Sequence, residues 1–126
     1  MKKQNSIFKQ VNNFIESKFS DFTLSELKIM KYLSENRQDQ IINIKLTDLA
    51  KLLNINSKHP YEKINYIVMS LFNKRAEFKF VNKQCKIVDL CSNFFSNIDY
   101  YDEVFAFEVN YEVLDYFINF TEINKK

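Results

Sequence analysis

Ser57-Lys58-His59-Pro60-Tyr61-Glu62-Lys63-Ile64-Asn65-Tyr66-Ile67-Val68-Met69-Ser70-Leu71-Phe72-Asn73-Lys74-Arg75 has the marks of one helix with a single apolar stripe. Ser57 or Lys58 precedes the first turn, and Pro60 stands where a missing N–H costs nothing. Tyr61, Ile64, Val68, Leu71 and Phe72 recur at helical spacing, so they share a face and require a core. The opposite side carries Glu62, Lys63, Asn65, Tyr66, Met69, Asn73 and Lys74, a set able to reach phosphates or base edges. Such a helix is either a plain core helix with a solvated back or one that lies against a partner. The flanking segments bear on that choice.

Immediately upstream, Thr47 is placed to cap a short helix, Asp48 to Leu53, with Leu49, Leu52 and Leu53 on one face. Asn54-Ile55-Asn56-Ser57 connects it to the longer helix, with Asn54 or Asn56 standing where glycine is frequent. Short helix, tight turn and longer helix follow in the order of a helix-turn-helix, whose second helix can lie in the major groove. Downstream of Arg75 the apolar period changes to two. Phe78 and Phe80 flank Lys79, Asn82-Lys83 forms a turn, and Cys85, Ile87 and Asp89 alternate with Lys86, Val88 and Leu90. A hairpin there is a wing, with Lys79, Lys83 and Lys86 positioned for phosphates.

Farther upstream, Ile41 to Leu46 alternates as a short strand after the polar loop Arg37 to Gln40. Thr23-Leu24-Ser25-Glu26 is a capping-box pattern opening a helix that runs to about Asn36. Ile7, Phe8, Val11, Phe14, Ile15 and Phe19 predict a first helix or helical arm within residues 1–20. Toward the other end, Cys91 to Ile98 is mixed, with Phe94 and Phe95 buried. Asp99 to Glu103 reads as a turn whose acids could hold a hard cation or simply be solvated. Val104 to Val109 is the clearest strand, an edge able to pair with a second copy, and Asn110 caps a helix over residues 111–120. The expectation is an α+β winged helix in one domain, residues 23–121, with an arm at 1–22 and a tail at 122–126.

Composition narrows the chemistry. A chain of 126 residues, 46% hydrophobic and 27% charged, suits one soluble domain with one core. No apolar run approaches the roughly 20 residues that span a bilayer, and no signal peptide is evident, so the expected location is the cytoplasm with no membrane contact. The absence of glycine rules out a P-loop, a dinucleotide fingerprint and a nucleophile elbow. An abundance of Lys, Asn, Ile and Phe points to an AT-rich genome. Cys85 and Cys91 are the only cysteines; strand geometry separates their α-carbons by about 20 Å, too far for a disulfide. One histidine and no paired cysteines leave no zinc site, so neither metal nor cofactor is expected. His59 beside Pro60 suits a helix start, and no catalytic pair or triad stands out; the chain is not expected to be an enzyme.

The net charge of +2 conceals a segregation. Residues 58–88 hold seven bases and two acids, giving +5, whereas residues 89–126 hold two bases and eight acids, giving −6. Clustering of solvated charge and affinity for a polyanion both explain this. On the second reading the DNA-binding set is Lys58, Lys63, Asn65, Tyr66, Ser70, Asn73, Lys74 and Arg75 from the helix, with Lys79, Lys83 and Lys86 from the hairpin.

Thr23-Leu24-Ser25-Glu26 followed by Ile29, Met30, Tyr32 and Leu33, then Leu49 to Leu53 leading to Tyr61, Ile64, Leu71 and Phe72, form a recognisable run. Phe105-Ala106-Phe107-Glu108-Val109 before Val113 to Phe117 and the closing Phe120-Thr121 completes it. Over about residues 10 to 121 this resembles the N-terminal winged-helix domain of iteron-binding plasmid replication initiators, the RepB/RepE-like Rep proteins. The resemblance implies two tandem winged helices, dimers that repress their own gene, monomers that bind repeated sites in double-stranded origin DNA, and contacts with host replication proteins. The chain ends where a second domain would begin, which fits either a piece of an initiator or a stand-alone winged helix. The alternative function is a protein-interaction or transcriptional-regulator domain without origin binding.

Overall fold

The computed structural model describes residues 16–124. It begins with β1, Glu16–Phe19, followed by helix α1, Leu24–Glu35. The expected N-terminal helix falls mostly on residues outside those described, and where it overlaps them the chain is a strand. The reason is a long-range partner that periodicity cannot reveal: β1 pairs antiparallel with β3, Arg75–Val81. In that pairing the Ser17 hydroxyl meets the Tyr116 hydroxyl at 2.9 Å, and the Phe19 ring packs against Phe78 and Phe117.

α1 starts as its sequence demands. The Glu26 backbone N–H donates to Thr23 Oγ1 at 3.2 Å, and the Thr23 N–H donates to Glu26 Oε1 at 2.8 Å, closing the capping box. Ile29, Met30 and Leu33 face the core, and the Asn36 side-chain amide caps the end on the Tyr32 carbonyl at 2.9 Å. β2, Ile41–Lys45, buries Ile42 and Ile44 and exposes the residues between them.

α2 spans Leu46–Leu52, two residues earlier than expected, and Thr47 lies inside it rather than at its cap. Lys45 occupies the N-cap without a side-chain bond; the Leu46 N–H is instead taken by the Glu103 carbonyl at 2.9 Å, a tertiary contact in place of a local cap. Asn54 supplies the left-handed residue of the following turn, with φ 57°. α3, Tyr61–Phe72, is shorter than the expected helix: Pro60 stands at the N-cap rather than in the first turn, its carbonyl accepting from the Ile64 N–H, and Asn73 ends the helix ahead of Lys74 and Arg75.

β3 and β4, Ile87–Asn93, form the expected hairpin, but its connection is the five-residue loop 82–86 rather than a turn at Asn82-Lys83. Asn82 Oδ1 accepts from the N–H groups of Gln84 and Lys86, and Cys85 takes φ 62°. β5 is Phe95–Tyr101 and β6 is Val104–Val109, so the expected mixed segment and most of the expected turn are strand. The turn shrinks to Asp102-Glu103, both at positive φ, which matches the twist of a two-residue hairpin. Helix α4, Tyr111–Asn124, closes the described chain and runs past its expected end. Asn110 accepts the Leu114 N–H on its carbonyl, while its side-chain amide donates to the Asn93 carbonyl at 3.3 Å, tying the helix start to the end of β4.

The strands form two three-stranded antiparallel sheets, β1-β3-β4 and β2-β6-β5. β2, which lies just before the helix-turn-helix, therefore joins β5–β6 and not β3–β4. The hairpin that pairs with β2 is Phe95 to Val109, while the β3–β4 hairpin pairs with β1. One expectation is corrected. β6 is not an edge but the middle strand, its backbone paired on both sides, and Phe105 and Phe107 on it are fully buried. A residue pattern of Phe-Ala-Phe with one sheltered face suits a centre strand, where both neighbours supply packing partners. Phe94, Phe95, Phe105, Phe107 and Phe117 with Ile64, Val68 and Leu71 make one continuous core between the sheets and the helices.

Candidate nucleic-acid interface

Ile64, Val68 and Leu71 are buried, so α3 presents the opposite stripe, Glu62, Tyr66, Met69 and Asn73, at steps of four, three and four residues. Tyr66 is 78% exposed and Met69 50%. The Asn73 amide donates to the Met69 carbonyl at 3.0 Å and ends the helix. No cation lies on this stripe. On one flank Lys63 borders a shallow apolar groove with Ser25, Ile55, Tyr66 and Ile67. On the other, the Tyr61 ring lies tilted against Tyr100 of β5 at 4.5 Å between ring centroids, and Asn65 is half-buried.

Ser70 and Lys74 are turned away from any groove-facing role, toward α1. Glu26, 1% exposed, is the one fully buried charged residue among those described. Burial alone pushes its carboxyl up, but the Ser70 hydroxyl, the Thr23 N–H and the charge of Lys74 outweigh that and hold it below the ordinary carboxylate range. Lys74 Nζ lies 3.6 Å from Glu26 Oε1, its side chain only 21% exposed and resting over the Phe22 ring. The pair joins the start of α1 to the end of α3. Nothing local in the sequence pointed to it beyond the capping box, because Ser70 on α3 and Lys74 just past its end are distant in the chain.

The hairpin lysines are dispersed too. Lys79 is 3.5 Å from Asp89 across the β3–β4 ladder, on an open sheet face that also carries Glu16, Lys18 and Glu77. Three acids and two bases there leave no positive field. Lys83 and Lys86 project from the hairpin loop, exposed, and Lys58 is exposed ahead of α3. Arg75 is exposed as well, with one guanidinium nitrogen 3.9 Å from Cys91 Sγ. Of the expected cations, Lys58, Lys63, Arg75, Lys83 and Lys86 carry no ion pair among the described residues. The +5 segment is thus a property of chain order more than of one surface.

The hairpin beside α3 has the opposite sign. Asp102 and Glu103 form the β5–β6 tip, with Asp99 on the adjoining strand and Tyr101 exposed. Loss of hydration, then the Glu103 carboxylate and Tyr61, raise the Tyr100 phenol above its usual value. Phosphates are repelled here rather than drawn in. Among the described residues no helix is long and apolar enough to cross a membrane.

Helix, strand, helix, tight turn, helix and a hairpin that closes a sheet with the first internal strand define a winged-helix domain. The family model for initiator replication protein, WH1, matches residues 7–125, and the chain belongs to that family. It is a replication-initiator domain. The crystal structure of the MSBI1.176 WH1 domain, described as a replication protein isolated from a multiple sclerosis patient, is similar at 15% identity and a TM-score of 0.49. The match covers 68% of this chain and 69% of that one. No curated protein matches the chain.

Proposed function

We propose that the domain binds double-stranded DNA at repeated sites in a plasmid origin, as a non-enzymatic module of an initiator in the cytoplasm, and that it also self-associates. Membership of the initiator family supports the origin reading. The single observation that carries the DNA reading is the outward stripe of α3, exposed along its length and held in place by the Glu26 junction. Phosphate contacts come from Lys58 and Lys63 near the helix start and from Lys83 and Lys86 on the hairpin loop, so affinity is modest. Titration of labelled duplex at several salt concentrations tests this. A slope of log affinity against log salt of about −2 to −4 is expected, since each neutralised phosphate contributes about −0.9. A flat response refutes it.

β6 offers no free edge for self-association, because that strand is already paired on both sides. Among the described residues β4 is an edge strand of its sheet, and its outer side is where a second copy would pair. A second reading, association without DNA binding, is favoured by the acidic β5–β6 tip. Light scattering beside the titration separates the two: dimers with no salt-dependent DNA affinity identify an association module.

A further inference from the structure

Base recognition by α3 has to be carried by groups other than lysines. Its outward stripe holds Glu62, Tyr66, Met69 and Asn73. Lys74 and Ser70 are committed to Glu26, and the Asn73 amide nitrogen is committed to the Met69 carbonyl. Glu62 repels phosphates, so the stripe is unsuited to clamping a backbone. What remains at its centre is a pair of large apolar side chains one turn apart, Tyr66 and Met69. Beside Tyr66 a shallow groove, lined also by Ser25, Ile55, Glu62, Lys63 and Ile67, adds the apolar surface of its two isoleucines.

In the major groove the one apolar feature of the base edges is the C5-methyl of thymine. Resting on the DNA-binding reading above, we infer that Tyr66 and Met69 read thymine methyl groups, so that this domain prefers A·T-rich duplex by apolar contact rather than by hydrogen bonds. The occupant is the duplex that membership of the initiator family supports, and thymine is the base whose major-groove edge offers these side chains an apolar group. A protein partner could also cover an exposed tyrosine and methionine, and the experiment distinguishes it.

The test uses the 126-residue chain and two duplexes of about two helical turns. One alternates dA and dT; the other has deoxyuridine in place of every thymidine, which removes only the methyls. The methyl-bearing duplex should bind more tightly by about fourfold for each methyl buried, with the same salt slope for both. Tyr66→Ala with Met69→Ala, both at exposed positions, should abolish that preference while leaving the melting temperature and the salt slope in place. Equal, salt-dependent binding of the two duplexes overturns the inference and leaves the DNA reading standing. A preference that survives the double substitution also overturns it, because the methyls are then read elsewhere. No binding to either duplex at low salt removes the DNA reading itself, and loss of self-association in the double variant assigns the stripe to a protein contact instead.

Discussion

Glu26 is the place where a single atom-scale change should be felt across the domain. Replacing it with alanine removes the acceptor of the Thr23 N–H, the acceptor of the Ser70 hydroxyl and the counter-charge of Lys74 at once. Loss of the reciprocal cap costs about 1 kcal/mol. Separating a buried ion pair costs about 3–5 kcal/mol when the surviving charge is sealed from water, but Lys74 retains 21% exposure and can rehydrate, so a fraction of that applies. The total expected for Glu26→Ala is about 2–4 kcal/mol. Glu26→Gln keeps the volume and can still accept from Thr23, so it should lose about 1–2 kcal/mol. Urea denaturation at neutral pH measures both. The pH dependence adds a second check. Because the folded carboxyl titrates below its unfolded value of about 4.3, the unfolded state binds the proton more readily, and the stabilisation is complete above that value. It is lost as pH falls through the lower, folded value. The gap between wild type and Glu26→Gln should therefore be constant above about pH 5 and narrow below about pH 4. A loss under about 0.5 kcal/mol for Glu26→Ala, or a gap that widens in acid, refutes the assigned role.

Glu103 holds φ 59° while its carbonyl serves the Leu46 N–H, so Glu103→Gly should keep the bond, relieve the backbone and stabilise by up to about 1 kcal/mol in thermal melting. Lys83→Ala should weaken all duplexes alike and flatten the salt slope by about one, whereas Lys79→Ala should change it less because Asp89 already neutralises that lysine. Asp102→Lys at the acidic hairpin tip should raise DNA affinity and steepen the slope; an unchanged titration would put the tip away from the duplex. Ile64→Ala should cost about 2–5 kcal/mol in urea denaturation, since the side chain is fully buried.

Local patterns were enough for helices α1 to α4 and for strands β2, β3, β4 and β6, whereas β1 read as helix and β5 as a mixed segment and a turn. Thr23 and Glu26 are three residues apart and close their box wherever the helix goes; Ile64, Val68 and Leu71 recur at a period that only one helical face satisfies. The exposed core-opposite stripe of α3 followed from the same arithmetic. Which strand meets which was not legible, because alternation specifies a face and says nothing of a neighbour. So the sequence by itself marked Val104 to Val109 as a strand, and only the tertiary structure made it the centre of a sheet and closed the edge assumed for it. Charge behaved likewise. Seven bases among residues 58–88 are a fact of chain order, but folding set Asp89 beside Lys79 and Glu26 beside Lys74, and brought the acidic tip of β5–β6 into the sheet that supports the helix-turn-helix. Electrostatic interaction depends on distance in space, and those distances are set by long-range pairing and packing that no spacing along the chain records.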